Sequence, residues 1–270
     1  MDVNGYDKTL IKPYQVVELN HFKTPLFDSL KNMKYYSQDG QDKFLAKLFS
    51  KKKGGYFLDI GAYDGVEFSN TYFLEKELGW NGICIEPNPI VFSKLKENRN
   101  CICINCCIGD IMGSASFLAV SGYGVMLSGL LQFLNEQHLK RIDDGILQYG
   151  GSKEIIVVEV MPVHKILDSN KITYIDYCNI DVEGGELSVL KTIDFSKIKI
   201  KVFTIENNYG SNEVYYFLKK QGYSRIYRLG ADDVYELNSK NYFLMLRYRY
   251  LKLRTGLSYL KAGIKKFIRK

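Results

Sequence analysis

The 270 residues, 46% hydrophobic and 25% charged, suffice to bury one large core and exclude a disordered chain or a disulfide-stapled miniprotein. The net charge of +7 is local: nine of the 37 Lys and Arg fall between residues 247 and 270 with no acid among them, leaving 28 bases against 30 acids elsewhere. That distribution excludes a broad nucleic-acid-binding face and leaves a basic C-terminal appendage.

In chain order, residues 1–36 mix polarities around Pro13 and Pro25 and are expected to be an irregular or partly helical lead-in. Helical spacing of Phe44, Leu45, Leu48 and Phe49 marks residues 38–49, and Lys51-Lys52-Lys53-Gly54-Gly55 breaks it. Apolar runs at 56–60, 82–85 and 101–105 alternate with helix-like stretches near 69–78 and 89–97. Strands and helices at that interval predict βαβ units and a mostly parallel sheet with helices on both faces.

Residues 111–153 interrupt the rhythm with a short strand at 115–120, a glycine-rich turn and an amphipathic piece near 130–142. Such an insertion beside a ligand site commonly forms a lid or substrate wall. Strands follow at 155–160, 174–180 and 201–205, with helices at 187–193 and 213–221. A strand pair at 223–237 turns near Gly230, and the sheet is expected to close near 242–246. The pattern gives a main domain over 37–246 and a C-terminal helix over 247–270. In that helix Leu253, Leu257, Leu260, Ile264 and Phe267 form a narrow stripe between lysines and arginines, suited to its own domain, another protein or an anionic membrane surface.

Neither a run of the roughly 20 apolar residues of a membrane span nor a secretion signal is visible, so a cytoplasmic location is expected, with a peripheral membrane contact through the tail as an addition. The six cysteines read as reduced thiols. Although Cys101, Cys103, Cys106 and Cys107 lie close together, no second cluster or neighbouring histidine completes a tetrahedral zinc site.

Ligands of open parallel sheets bind beyond the carboxyl ends of the strands, and here those positions are acidic. Asp59 and Asp64 accompany the first strand, Glu86 the second and Asp110 the third; Asp181, Glu183 and Glu206 follow later ones. The turn Asp59-x-Gly61-x-x-Asp64-Gly65 differs from the dinucleotide pattern G-x-G-x-x-G and sets a carboxylate where a pyrophosphate would lie. A cationic or zwitterionic ligand suits it better, and S-adenosylmethionine has both features. Glu86 is placed to accept the hydroxyls of a ribose.

The stretches FLDIGAYDGVEFSNT (57–71), GICIEPNP (82–89), NCCIGD (105–110) and above all NIDVEGGELSVL (179–190) resemble the FkbM-type S-adenosylmethionine-dependent methyltransferases. Ser37 to Asp42, and Leu127 to Leu130 with His138 and Arg141, look like further marks of a subgroup. The resemblance spans residues 37–208. It implies a Rossmann-like class I methyltransferase fold with a seven-stranded sheet. It also implies a methionine subsite at Asp59, Gly61, Ala62 and Gly65, ribose contacts at Glu86, and adenine near Cys107, Ile108 and Asp110. The family's known or presumed activity, O-methylation of sugars and small natural products, sets the expected acceptor class, a small molecule or glycan.

Two catalytic arrangements are open. In one, His138 or the Asp181/Glu183 pair takes the hydroxyl proton, and Arg141, one helical turn from His138, orients the acceptor. In the other, Asp181, Glu206 and Asn207 hold a magnesium-like ion that acidifies the acceptor oxygen. His164 reads as structural, and Tyr123 as a sugar-stacking ring. Two alternatives from other classes are an inactive binding or scaffold protein on the same fold and an NAD-linked sugar-modifying enzyme.

Overall fold

A computed structural model describes residues 33–237. The expected lead-in, the closing strand near 242–246 and the basic helix at 247–270 lie outside the described residues, apart from the last residues of the lead-in. Among those described, no helix is long and apolar enough to cross a membrane.

The chain opens with α1 (Gln41–Leu48), β1 (Tyr56–Ile60), α2 (Tyr72–Leu78), β2 (Asn81–Ile85), α3 (Pro89–Asn98) and β3 (Ile102–Ile104). Next come β4 (Cys107–Ile108), β5 (Gly113–Val120), β6 (Gly129–Leu130), α4 (Glu136–Tyr149), β7 (Lys153–Met161) and α5 (Val163–Ser169). It continues with β8 (Tyr174–Ile180), α6 (Glu186–Lys191), β9 (Lys199–Glu206), α7 (Glu213–Lys220), β10 (Tyr223–Leu229) and β11 (Asp232–Leu237).

Seven strands form one mixed sheet in the order β10-β11-β9-β8-β1-β2-β3. Neighbours from β9 across to β3 are parallel, and β11 runs antiparallel to both β9 and β10. The order reverses at β1, where a crevice opens beyond the strand ends. Side-chain alternation assigns the two faces. Leu58 and Ile60 join Ile83, Ile85, Ile180, Ile166 and Leu190 in one core, whereas Phe57, Cys84 and Tyr177 join Phe73, Leu74, Leu78 and Trp80 in the other. Each such side chain, fully buried, contributes about 1.5–3 kcal/mol.

The expected short strand of the insertion, observed as β5, joins its neighbours in a second sheet with strands in the order β4-β7-β5-β6. β7 runs antiparallel to β5 along eight residue pairs, from Gly113 opposite Val160 to Val120 opposite Lys153. The amphipathic piece expected near 130–142 divides into β6, a short 3-10 turn at 131–133, and α4. The Asn135 side chain caps α4 by accepting from His138 N at 2.8 Å, a bond of the kind worth about 1 kcal/mol, and Ile142 packs on Leu118 and Val120.

Asp59 shares the parity of Phe57, so its carboxyl points into the face covered by α2. There it meets a buried network built on Arg99. The Arg99 guanidinium donates to Glu75 Oε2 at 2.7 Å, Thr71 Oγ1 at 3.0 Å and the Gly65 carbonyl at 3.2 Å. Thr71 in turn donates to Asp59 Oδ2 at 2.5 Å, and Asn179 Nδ2 to Asp59 Oδ1 at 3.0 Å. Burial pushes the pKa of Glu75 up, but the Arg99 charge and the Asn100 N–H bring it to a net value below the usual range.

Removing one partner of a buried charge pair strands the other, at about 3–5 kcal/mol. Arg99→Met is therefore expected to cost about that much in urea unfolding, and Glu75→Gln added to it should recover part of the loss. Equal midpoints for Arg99→Met and wild type would show that the network is not structural.

Candidate active site

A cavity of about 250 Å³ lies at the carboxyl edge of the parallel strands. Its wall is formed by the turn after β1, the end of β2, residues 106–108, the ends of β8 and β9, and residues 125–130 with Phe133 from the accessory layer. Of the residues singled out from sequence, Asp59, Gly61, Ala62, Glu86, Cys107, Ile108, Arg141, Asp181, Glu183 and Glu206 line it together.

The turn after β1 works differently from expectation. Gly61 N and Ala62 N both donate to the Ile85 carbonyl at 3.0 Å, Gly65 N donates to Ala62, and Tyr63 N to Glu86 Oε2 at 3.1 Å. The N–H groups of Gly61, Ala62, Tyr63 and Gly65 are thus spent inside the protein. Gly61, at φ 84, is required by the sheet itself, because a Cβ there would sit 1.8 Å from the Asp181 carbonyl oxygen. Five of the expected site residues, Asp64, Gly65, Asp110, His138 and Asn207, fall outside the cavity wall. The Asp64 carboxylate caps Val66 N and Glu67 N at 2.8 Å, and Gly65, at φ 80, makes room for Leu95 and Arg99. Asp110 is exposed beyond β4. Asn207 spends its amide on the Ser211 carbonyl and Asp233 Oδ2, both at 2.9 Å, and its oxygen on Ser211 N. Asn207 therefore does not join Asp181 and Glu206, the other two residues of the expected metal-ligand set.

Glu86 is buried, with Oε1 accepting from Asn88 N at 2.9 Å and Oε2 from Tyr63 N. Burial nevertheless raises its pKa from 4.5 to about 7. Asn70 escaped the sequence reading. Its Nδ2 donates to Asn179 Oδ1 at 2.8 Å, while its Oδ1 is buried on the cavity wall with no protein donor. An unpaired acceptor of this kind costs about 1–3 kcal/mol unless a ligand or water satisfies it. Register pairs Asn179 with Asp59 across β8 and β1, so alternation was the signal that could have found that partner; Asn70 lies within the stretch 57–71 that carries the resemblance, but no spacing singles it out.

On the opposite wall, Asp181, Glu183 and Glu206 bring one carboxyl oxygen each within 4.8 Å of one another. Burial, followed by the neighbouring acids, pushes the pKa of all three up. Glu183 holds a backbone φ of 56, a left-handed conformation that costs a non-glycine residue about 1–3 kcal/mol. His138 is buried beside it, and Arg141 reaches the cavity from the next turn of α4. His164 bonds the Thr192 carbonyl through Nδ1 at 3.0 Å, a structural contact. Tyr123 packs on Tyr149, with ring centroids 4.2 Å apart, and is 72% exposed.

The family model for the methyltransferase FkbM domain matches residues 59–225, more than half of the sequence. The chain belongs to the FkbM methyltransferase family. No curated protein and no solved structure matches it. The FkbM domain thus runs from Asp59 on β1 through the accessory sheet to Arg225 on β10, and takes in both walls of the cavity.

The acids of this FkbM domain give stability a definite pH dependence. Their folded pKa values lie above the unfolded ones, so the folded chain holds more protons than the unfolded chain from pH 4.5 to about 7 for Glu86, and higher for the Asp181 group. Stability from these groups is fully present below pH 4.5 and is lost as pH rises through that window. Melting temperature is expected to fall from pH 5 to pH 8, less steeply in Asp181→Asn/Glu206→Gln. Parallel curves for the two proteins would refute the assignment.

Proposed function

We propose that the protein is an S-adenosylmethionine-dependent O-methyltransferase of the class I Rossmann-like fold, acting on a hydroxyl of a sugar, glycan or other small polar acceptor. The observation that carries this reading is the cavity at the sheet's crossover point, lined, among the described residues, by eight acids and a single cation, Arg141. With the turn's N–H groups committed to Ile85 and Glu86, a pyrophosphate has no cradle there, which speaks against NAD. A ligand that brings an ammonium and ribose hydroxyls suits the same wall.

In this reading Asn70 Oδ1 takes a donor from the amino-acid end of the cofactor, beside the braced Asp59. Glu86 takes the ribose hydroxyls on the lone pairs that Tyr63 N and Asn88 N leave free. Cys106, Cys107 and Ile108 offer an apolar wall for the adenine. When bound, the cofactor supplies an electrophilic methyl group on sulfur. The protein's own part is to hold the acceptor oxygen in line, exclude water and receive the hydroxyl proton. Residues 125–130 and Phe133 form the acceptor-side wall, Arg141 orients the acceptor, and the Asp181/Glu183 side with His138 provides the proton acceptor. No step is assigned to a magnesium ion, because Asn207 is committed elsewhere.

Isothermal calorimetry tests the cofactor. S-adenosylmethionine should bind and NAD should not. Glu86→Ala and Asn70→Ala, checked for native melting, should each weaken binding about 10–100-fold, as expected for loss of hydrogen bonds to a charged or buried partner. Absence of heat with S-adenosylmethionine would leave the scaffold alternative standing. Gain of one methyl mass on a candidate glycan, only in the presence of both protein and cofactor, would identify the acceptor.

A further inference from the structure

His138 sits in the first turn of α4, its ring held between two oxygens. Nε2 lies 2.9 Å from the Leu127 carbonyl oxygen, which can only accept, so Nε2 carries the hydrogen. Nδ1 faces Glu183 Oε2 at 3.5 Å. That oxygen is buried without a hydrogen-bond donor, and the two side chains are 3% and 10% exposed. With Nε2–H fixed, a neutral imidazole presents a bare lone pair at Nδ1, and an ionised carboxylate presents only lone pairs. Opposed in a buried place, the two repel. One proton between them converts the repulsion into a hydrogen bond.

We infer that Glu183 and His138 form a proton relay for the acceptor hydroxyl, with Glu183 in the resting site carrying its proton on Oε2 toward Nδ1 of His138. The inference rests on the methyl-transfer reading above. Glu183 is the catalytic residue, because it lines the cavity; His138 acts through it as the positioning residue and final proton store. The charged groups facing Glu183 agree with a protonated resting carboxyl. Burial and then Asp181, after β8, push its pKa up, and Glu186 of α6 adds to this, while Arg141 of α4 opposes them. Glu206 of β9 is a further acid in contact with the group. The loop is also held in place. Gly184 and Gly185 pass so close to Phe133 that an added Cβ would meet it at 3.1 and 2.9 Å.

The step balances. The acceptor O–H bond breaks as its proton passes to Oε1 of Glu183, and the Oε2–H bond breaks as the second proton passes to Nδ1, giving an imidazolium. The electron pair freed on the acceptor oxygen forms the new C–O bond, while the C–S pair of the methyl donor stays on sulfur. Glu183 ends neutral, its proton moved from one oxygen to the other. Reversal of the two proton shifts to water resets the pair.

Long-range nitrogen NMR of the full chain, labelled with 15N-histidine and assigned with His138→Gln, tests the resting state without any acceptor. At pH 7, His138 should be neutral with its hydrogen on Nε2 and with Nδ1 accepting a hydrogen bond. In Glu183→Ala the Nδ1 signal should move to that of a free imine, and in Glu183→Gln it should stay near the bonded position, because the amide still donates. A doubly protonated ring, an Nδ1–H tautomer, or an Nδ1 signal indifferent to Glu183→Ala overturns the relay. Calorimetry with S-adenosylhomocysteine on the same samples separates the two claims. Failure of wild type to bind defeats the methyl-transfer reading, whereas binding together with the wrong tautomer defeats the relay alone.

Discussion

The guanidinium of Arg99 is the constraint on which the cavity's shape depends. It is a cation with no exposed surface on its side chain, and it is satisfied by Glu75, the Gly65 carbonyl and the hydroxyl of Thr71. Those partners belong to α2 and to the turn that leaves β1, so one side chain at the end of α3 sets where that turn can lie. Through Thr71 the same network fixes the Asp59 carboxyl, and through Asn179 it reaches β8. A buried ion pair of this sort is a device for uniqueness of structure more than for net stability, since its desolvation cost offsets much of its attraction.

That geometry decides the chemistry of the cavity. Because Asp59 faces inward and the turn's N–H groups bond Ile85 and Glu86, one wall offers acceptors in place of an anion cradle. The opposite wall concentrates Asp181, Glu183 and Glu206, whose mutual repulsion in a buried place favours bound protons. The two walls therefore have different capacities. The first is braced and offers acceptors to a hydroxyl- and ammonium-bearing ligand; in the second a strained Glu183 stands beside a histidine whose Nε2 bonds the Leu127 carbonyl. The proposed methyl transfer to an alcohol draws on both walls.

The strands of the main sheet were legible because buried runs such as 56–60 and 174–180 are apolar and end at turn residues. The acids near the strand ends were legible too, but their roles were not. Asp59 is the fourth residue of β1, and its parity with Phe57 turns it toward Arg99, a partner far along the chain that no local pattern announces. Gly61 looked like a ligand-approach glycine, yet the Asp181 carbonyl fills that space. Asn207 stands one residue after β9 and is drawn away by Asp233 of β11, a contact only the antiparallel hairpin creates. The second sheet was hidden for a similar reason. The run at 153–161 reads as one more strand of the series, and only pairing with 113–120 diverts it into its own layer.

The proposed cofactor site is the crevice beyond β1 and β2, with Asn70 and Glu86 as acceptors for ammonium and hydroxyl donors. A crystal structure of the protein with S-adenosylhomocysteine tests it most directly. The ribose hydroxyls should lie on Glu86 and the amino group within hydrogen-bond reach of Asn70 Oδ1, with the turn at 61–65 unmoved. Ligand density outside this crevice, or a turn rearranged so that its N–H groups leave Ile85 to bind the ligand, would contradict it.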